Sequence, residues 1–100
     1  MILERSVQKI AAGKFEAYKV GEQKWSDLEK RLGGFPPKNH YSMVSGPMAM
    51  GTIVWQREWP DFASMEVAYM RMFAEPETQA LAESGAVVEE MREYYFVEEY

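Results

Sequence analysis

The chain has 100 residues, a formal net charge of −5 and no cysteine. That length fits one domain, residues 1–100, whose own core is modest enough for self-association to help it. The acidic balance leaves no basic stripe for phosphate contact, which argues against nucleic-acid partners. The lack of cysteine excludes disulfides, thiolate catalysis and cysteine-based zinc sites, and suits a reducing cytoplasm. Aromatic residues make up 14% of the chain and there are eight Met. Such bulk gathers at interfaces and cavity walls, although Met also softens ordinary cores. No long apolar stretch follows Met1, so no secretory signal and a cytoplasmic location are expected. No run approaches the roughly 20 apolar residues of a membrane span.

In chain order, residues 2–10 alternate. Ile2, Glu4, Ser6, Gln8 and Ile10 share one face, and Leu3, Arg5, Val7 and Lys9 the other. This predicts a strand with two different environments. Phe15, Tyr18, Trp25, Leu28 and Leu32 fall at helical spacings and predict a helix over 14–32, ended by Gly33-Gly34 and Pro36-Pro37. Strands are expected at 39–45 and at 52–59, joined through Gly46-Pro47-Met48-Ala49-Met50-Gly51 as an antiparallel hairpin. Asp61 is placed to cap a helix over 61–73. Pro76 restarts a second one over 76–91, with Leu81, Val88 and Met91 continuing the stripe, because proline suits a first helical position and not an interior one. Tyr94-Tyr95-Phe96-Val97 reads as a terminal strand.

This order is the split βαβ layout: an α+β, ferredoxin-like βαββαβ domain with a four-stranded antiparallel sheet. Its helices cover one face of the sheet. The strands at 52–59 and 94–97 carry bulky residues at both parities. The helix-free face is therefore expected to be apolar and to form a homodimer.

Several short motifs resemble the NIPSNAP-like proteins of the dimeric α+β barrel superfamily. These are Ile2-Leu3-Glu4 through Gly13-Lys14, the Ser45-Gly46-Pro47-Met48 turn, Trp55 in the following strand, and the Pro76-Glu77-Thr78-Gln79 helix restart. The resemblance implies a dimer in which two four-stranded sheets pair across a two-fold axis. It also points to a wider superfamily with cofactor-independent monooxygenases and haem-degrading enzymes. Departures stand at Ala49, Ile53 and Arg57, where that family often has Asn, His and Tyr.

In the strand over 52–59, Ile53, Trp55, Arg57 and Trp59 share a face, assigned here to a cavity at the dimer partner. The alternative packs the two Trp under the helices. Arg57, between two Trp, is a candidate to clamp an anionic or phenolate group, or else pairs with a carboxylate. His40, the lone histidine, is a candidate general base, and in view of the resemblance a candidate haem ligand. Its alternative is an exposed strand-edge position. Glu4 is a candidate base if burial raises its pKa, or else a carboxylate bonded across the dimer axis or to Arg57. Tyr95, with Tyr94 and Tyr100, is expected to add phenol groups to the same region.

Three functions stay open. The first is a small dimeric enzyme of the cofactor-independent oxygenase or isomerase type, acting on an apolar or aromatic molecule without metal or cofactor. The second is a non-catalytic binding or interaction module with a filled cavity. The third is haem binding through His40.

Overall fold

Nine alternating residues, Ile2–Ile10, form the central strand β1, and every other residue of the row from Ile2 to Ile10 is buried. The computed structural model describes residues 1–46, 50–83 and 85–100. Pro47, Met48 and Ala49 of the expected hairpin connection, and Ser84, lie outside the described residues. Among those described, the elements that follow are α1 (Phe15–Leu32), β2 (Asn39–Ser42), β3 (Thr52–Trp59), α2 (Phe62–Phe73), α3 (Pro76–Ala82) and β4 (Val87–Phe96). The sheet is antiparallel with strand order β2-β3-β1-β4, the ferredoxin-like arrangement.

Helix α1 follows the expected span almost residue for residue, and Gly33 stops it. Gly33 has φ 73° and ψ 166°, a region essentially reserved for glycine. Its last carbonyls are satisfied from another element. Arg71 of α2 donates to the Leu32 and Gly33 carbonyl oxygens at 2.9 and 2.7 Å, which also places a cation at the negative end of the helix. Asp61 caps α2 by accepting from the Ser64 backbone N–H at 2.7 Å. Helix α2 ends at Phe73, and α3 begins at Pro76 in the first turn, so the expected break at proline is present.

Two expectations are corrected. The helix proposed over 76–91 stops at Ala82, and the strand proposed over 94–97 is β4, Val87–Phe96. Gly85, at φ 77°, lies between them. Val88 and Met91 do fit a helical period, but Val88, Glu90, Arg92, Tyr94 and Phe96 also alternate. The free edge of β1 decides between the two readings. It pairs along its whole length, from Ile2 opposite Phe96 to Ile10 opposite Val87, and a four-residue strand would leave about half of those backbone groups without partners. The strand expected over 39–45 is likewise shorter, ending at Ser42.

Among the described residues, two apolar clusters lie between helices and sheet. One joins Ile10, Tyr18, Ile53 and Ala86. The other joins Ile2, Trp59 and Ala68, with Phe35, Met65 and Tyr69 against it. They occupy opposite ends of the covered sheet face, and polar side chains fill the stretch between them.

Gly34→Ala tests the junction between α1 and α2. Gly34 has φ 84°, and an added Cβ would sit 2.7 Å from an Arg71 guanidinium nitrogen. The substitution should destabilise the fold by about 1–3 kcal/mol in urea unfolding, and wild-type stability would contradict the Arg71 cap.

Candidate functional site

The register aligns side chains in rows across the helix-covered face. One row runs His40, Trp55, Ser6, Arg92; the next on one side is Ile53, Gln8, Glu90; on the other, Arg57, Glu4, Tyr94. Above them, α1 presents Tyr18, Glu22, Trp25 and Glu29, and α2 presents Tyr69, Met72 and Phe73. Together these walls line an open-sided cavity of about 480 Å³, bordered by Trp55, Trp25, Tyr18, Tyr69, Arg57 and Arg92 among others. Its size lies within the range of small-molecule sites.

A single polar network crosses the floor. Arg57, almost fully buried, donates from Nε to Glu4 Oε1 at 3.2 Å and from its two terminal nitrogens to both Glu29 carboxylate oxygens at 3.0 Å. It also donates to the Tyr69 hydroxyl at 2.9 Å. Glu4, fully buried, accepts further bonds from Trp59 Nε1 at 2.9 Å, from the Tyr69 hydroxyl at 2.7 Å and from Arg92 at 2.9 Å. Arg92 continues to Glu90, which accepts from Gln8 at 2.8 Å, and Gln8 accepts from the Tyr18 hydroxyl at 2.6 Å. On the other side Lys38 reaches Glu29 and Glu22, and Glu22 meets His40 Nε2 at 2.7 Å. Trp55 lies inside this ring of charge. Lys38, Arg92 and Arg57 stand 4.4, 4.9 and 5.1 Å from its ring centre, a cation–π arrangement on a buried indole.

These contacts set the protonation states. Burial pushes the Glu4 carboxyl up, but hydrogen bonds from Trp59 and Tyr69 and the charges of Arg57 and Arg92 outweigh it, so the pKa is lowered. Burial likewise opposes ionisation of Glu22, and the His40 bond and Lys38 charge overcome it. Burial raises the Tyr18 phenol, with Glu22 and Glu90 adding to it, so Tyr18 stays a neutral hydroxyl. Burial also disfavours the Arg57 and Arg92 charges, but their carboxylate partners more than compensate.

The aromatic face of β3 thus lies under the helices and not toward a dimer partner, which corrects the expected face. The cavity is bounded by sheet and helices of one chain. Trp55 and Arg57 line it. Trp59 is sealed in the apolar cluster beside it. Glu4 lies beneath the floor as a committed carboxylate with lowered pKa, the reverse of what a general base requires. His40 sits half-exposed on the edge strand, beside Glu22 and outside the cavity lining. Tyr95 is opposite Leu3 on the other sheet face, where it donates to Glu93. Tyr94 shares the Glu4 row, while Tyr100 is fully exposed. Sequence reasoning passed over Glu22, Glu29, Lys38, Tyr69 and Arg92. A signal existed for two of them: Glu22 and Glu29 stand four and eleven residues after Tyr18, on the inward stripe of α1. Arg92 was hidden by the helical reading of its segment.

No protein-family model matches the sequence, and no curated protein matches it significantly. Solved structures do share the fold. A NIPSNAP family protein from Agrobacterium tumefaciens aligns at TM-score 0.78 and 13% identity, over 99% of this chain and 94% of its own. An uncharacterized NIPSNAP domain protein from Burkholderia xenovorans aligns at 0.77 and 16%, over 98% and 95%. A variant of SnoaB, a cofactor-independent oxygenase from Streptomyces nogalater, aligns at 0.71 and 10%, over 99% and 94%. The chain therefore has the fold that NIPSNAP proteins and such oxygenases share.

Removing Arg57 takes from the buried Glu4 and Glu29 the cation that bridges them. Arg57→Ala should cost about 3–5 kcal/mol of stability in urea unfolding, and a loss below 1 kcal/mol would show the network to be ornamental. Because the folded-state pKa of Glu4 is lowered from its ordinary 4.5, its contribution is present above that pH and lost as pH falls through the folded value. Glu4→Gln should thus be less stable at neutral pH and lose less stability on acidification than wild type. The Ser6 hydroxyl is buried with no hydrogen-bond partner among the described residues. Ser6→Ala should be neutral or stabilising by up to about 1 kcal/mol, since it removes an unmet polar group.

Proposed function

We propose that this is a NIPSNAP-like domain that binds an apolar aromatic small molecule in the cavity between its sheet and helices and works as a homodimer. The observation that carries the first part is the cavity itself: about 480 Å³, walled by Trp55, Trp25 and Tyr18, and with polar groups already organised around it. Apolar walls with a few fixed polar groups are what small-molecule sites present. The network also favours binding over proton abstraction. Glu4, Glu22, Glu29 and Glu90 each already accept a hydrogen bond or face a cation, so none stands as a free base. His40, whose Nε2 is engaged by Glu22, is removed from the cavity, which weakens a haem-ligand or base role.

The dimer reading rests on the helix-free sheet face. Tyr41, Val54, Val7 and Met91 form an apolar row across all four strands. Leu3 and Tyr95 lie beyond a polar row of Asn39, Gln56, Arg5 and Glu93. Val7 and Val54 are low in the middle of this face, while Tyr41, Met91 and Tyr95 stand about half-exposed. A second copy meeting it face to face would cover the row, as sheet-on-sheet packing does.

A second reading, oxygenation of the bound molecule without a cofactor, is favoured by the fold shared with a cofactor-independent oxygenase. Binding is tested by titrating the purified protein with uncharged aromatic molecules of one to three fused rings and following Trp fluorescence and calorimetry. Saturable one-to-one binding, lost in a cavity-filling Ala82→Trp variant, is expected, and no binding across the set would end the proposal. Oxygen uptake on adding a dihydroxynaphthalene separates the oxygenase reading from plain binding. Light scattering at micromolar concentration should return a dimer that Val7→Asp dissociates.

A further inference from the structure

The charges around the cavity do not balance. Among the described residues, the ion network has four carboxylates, Glu4, Glu22, Glu29 and Glu90, against Lys38, Arg57 and Arg92, and Glu89 in the lining adds to the excess. His40, when protonated, supplies the missing cation from outside the lining. Lys38, Arg57 and Arg92 each already face two carboxylates. Arg57 uses all three of its nitrogens on Glu4, Glu29 and Tyr69. Arg92 uses both terminal nitrogens on Glu4 and Glu90, and Lys38 lies between Glu22 and Glu29. The Trp55 Nε1–H has no partner among the described residues but is fully buried, so what the walls still offer to the cavity space is acceptor capacity. The Tyr18 hydroxyl donates its hydrogen bond to Gln8 and keeps its lone pairs as acceptors. Each Glu90 oxygen accepts one bond, from Gln8 or from Arg92, and can accept another. The Glu90 side chain is also the most solvent-exposed of the four carboxylates, at 34%.

Resting on the binding role proposed above, we infer that the cavity selects an uncharged aromatic molecule carrying a hydrogen-bond donor and rejects its carboxylate counterpart, with Glu90 as the specificity-determining residue. An entering anion would meet an excess of negative charge, and each cation described near it already faces two carboxylates. A hydroxyl loses nothing of this kind, because Glu90 and Tyr18 can each accept a hydrogen bond from it. The reading turns the expected anion clamp around: Arg57 is present in the wall, but its fork is closed by Glu4 and Glu29.

The test is a matched pair of probes, 1-naphthol and 1-naphthoate, titrated into the full chain at about pH 8, where the phenol keeps its proton and the acid has lost its own. Naphthol should bind about tenfold or more tightly than naphthoate. Glu90→Gln removes one negative charge and should narrow that ratio to about threefold or less, while Arg92→Gln removes one positive charge and should widen it. Circular dichroism confirms that each variant is folded, and a merely structural role would weaken both probes alike, leaving the ratio unmoved. Naphthoate binding as well as naphthol, or a ratio that neither variant shifts in its stated direction, overturns the inference and leaves the binding role standing. Failure of both probes to bind overturns the binding role and this selectivity together.

Discussion

The rest of this structure depends on a buried guanidinium held by two carboxylates from different elements. Arg57 of β3 sits directly opposite Glu4 of β1 and reaches up to Glu29 of α1 with both ends of its fork. A charge so deeply buried is tolerable only when every donor is met, and here each is met by a carboxylate, a phenol or the Pro36 carbonyl. Such a group adds little net stability over an apolar core of equal volume, but it discriminates among arrangements. Sliding β1 by one residue, or turning α1 by a quarter, would strand the guanidinium or one of its acids. The ion network therefore fixes the strand register and the rotation of the helix at the same place.

That place is also where the apolar core divides. Ile10, Tyr18, Ile53 and Ala86 close one end of the covered sheet face, and Ile2, Trp59 and Ala68 close the other. Between them the helices stand on charged and aromatic side chains that cannot interdigitate as aliphatic ones do. A cavity follows from that geometry. The charged groups of its ion network are each held by at least one partner of opposite charge, and its indole wall is framed by cations. Preorganisation of this kind lets a small molecule bind without first ordering the site.

The two sheet faces do different work. The covered face carries the ion network and the cavity. The open face carries an apolar row, flanked by rows in which Arg5 stands opposite Glu93 and Lys9 opposite Glu89. Opposite charges directly across a strand pair support each other and keep the margins polar. Strand β1 belongs to both faces, so its alternation serves two surfaces at once: Glu4, Ser6 and Gln8 inward, Arg5, Val7 and Lys9 outward.

Local chemistry by itself determined most of the fold. Alternation in residues 2–10 and 52–59, the stripe and Gly33 stop of α1, the Asp61 cap and the Pro76 restart are each decided by neighbours within a turn or a strand, so their sequence carries them. It also grouped Trp55, Arg57 and Trp59 on one face, and named Glu4 as a partner for Arg57. Only the tertiary structure decided the remainder. Val87–Met91 satisfies both periodicities, and the hydrogen-bonding edge of β1, more than seventy residues away, made it a strand. Whether the Trp55 face met helices or solvent depended on which side the helices crossed, which periodicity does not encode. Glu29, Lys38 and Arg92 read as ordinary surface charges until folding brought them to one site. There the pairing of charges, a property of distance in space, closed the Arg57 fork, lowered the Glu4 pKa and left the cavity its acidic surplus.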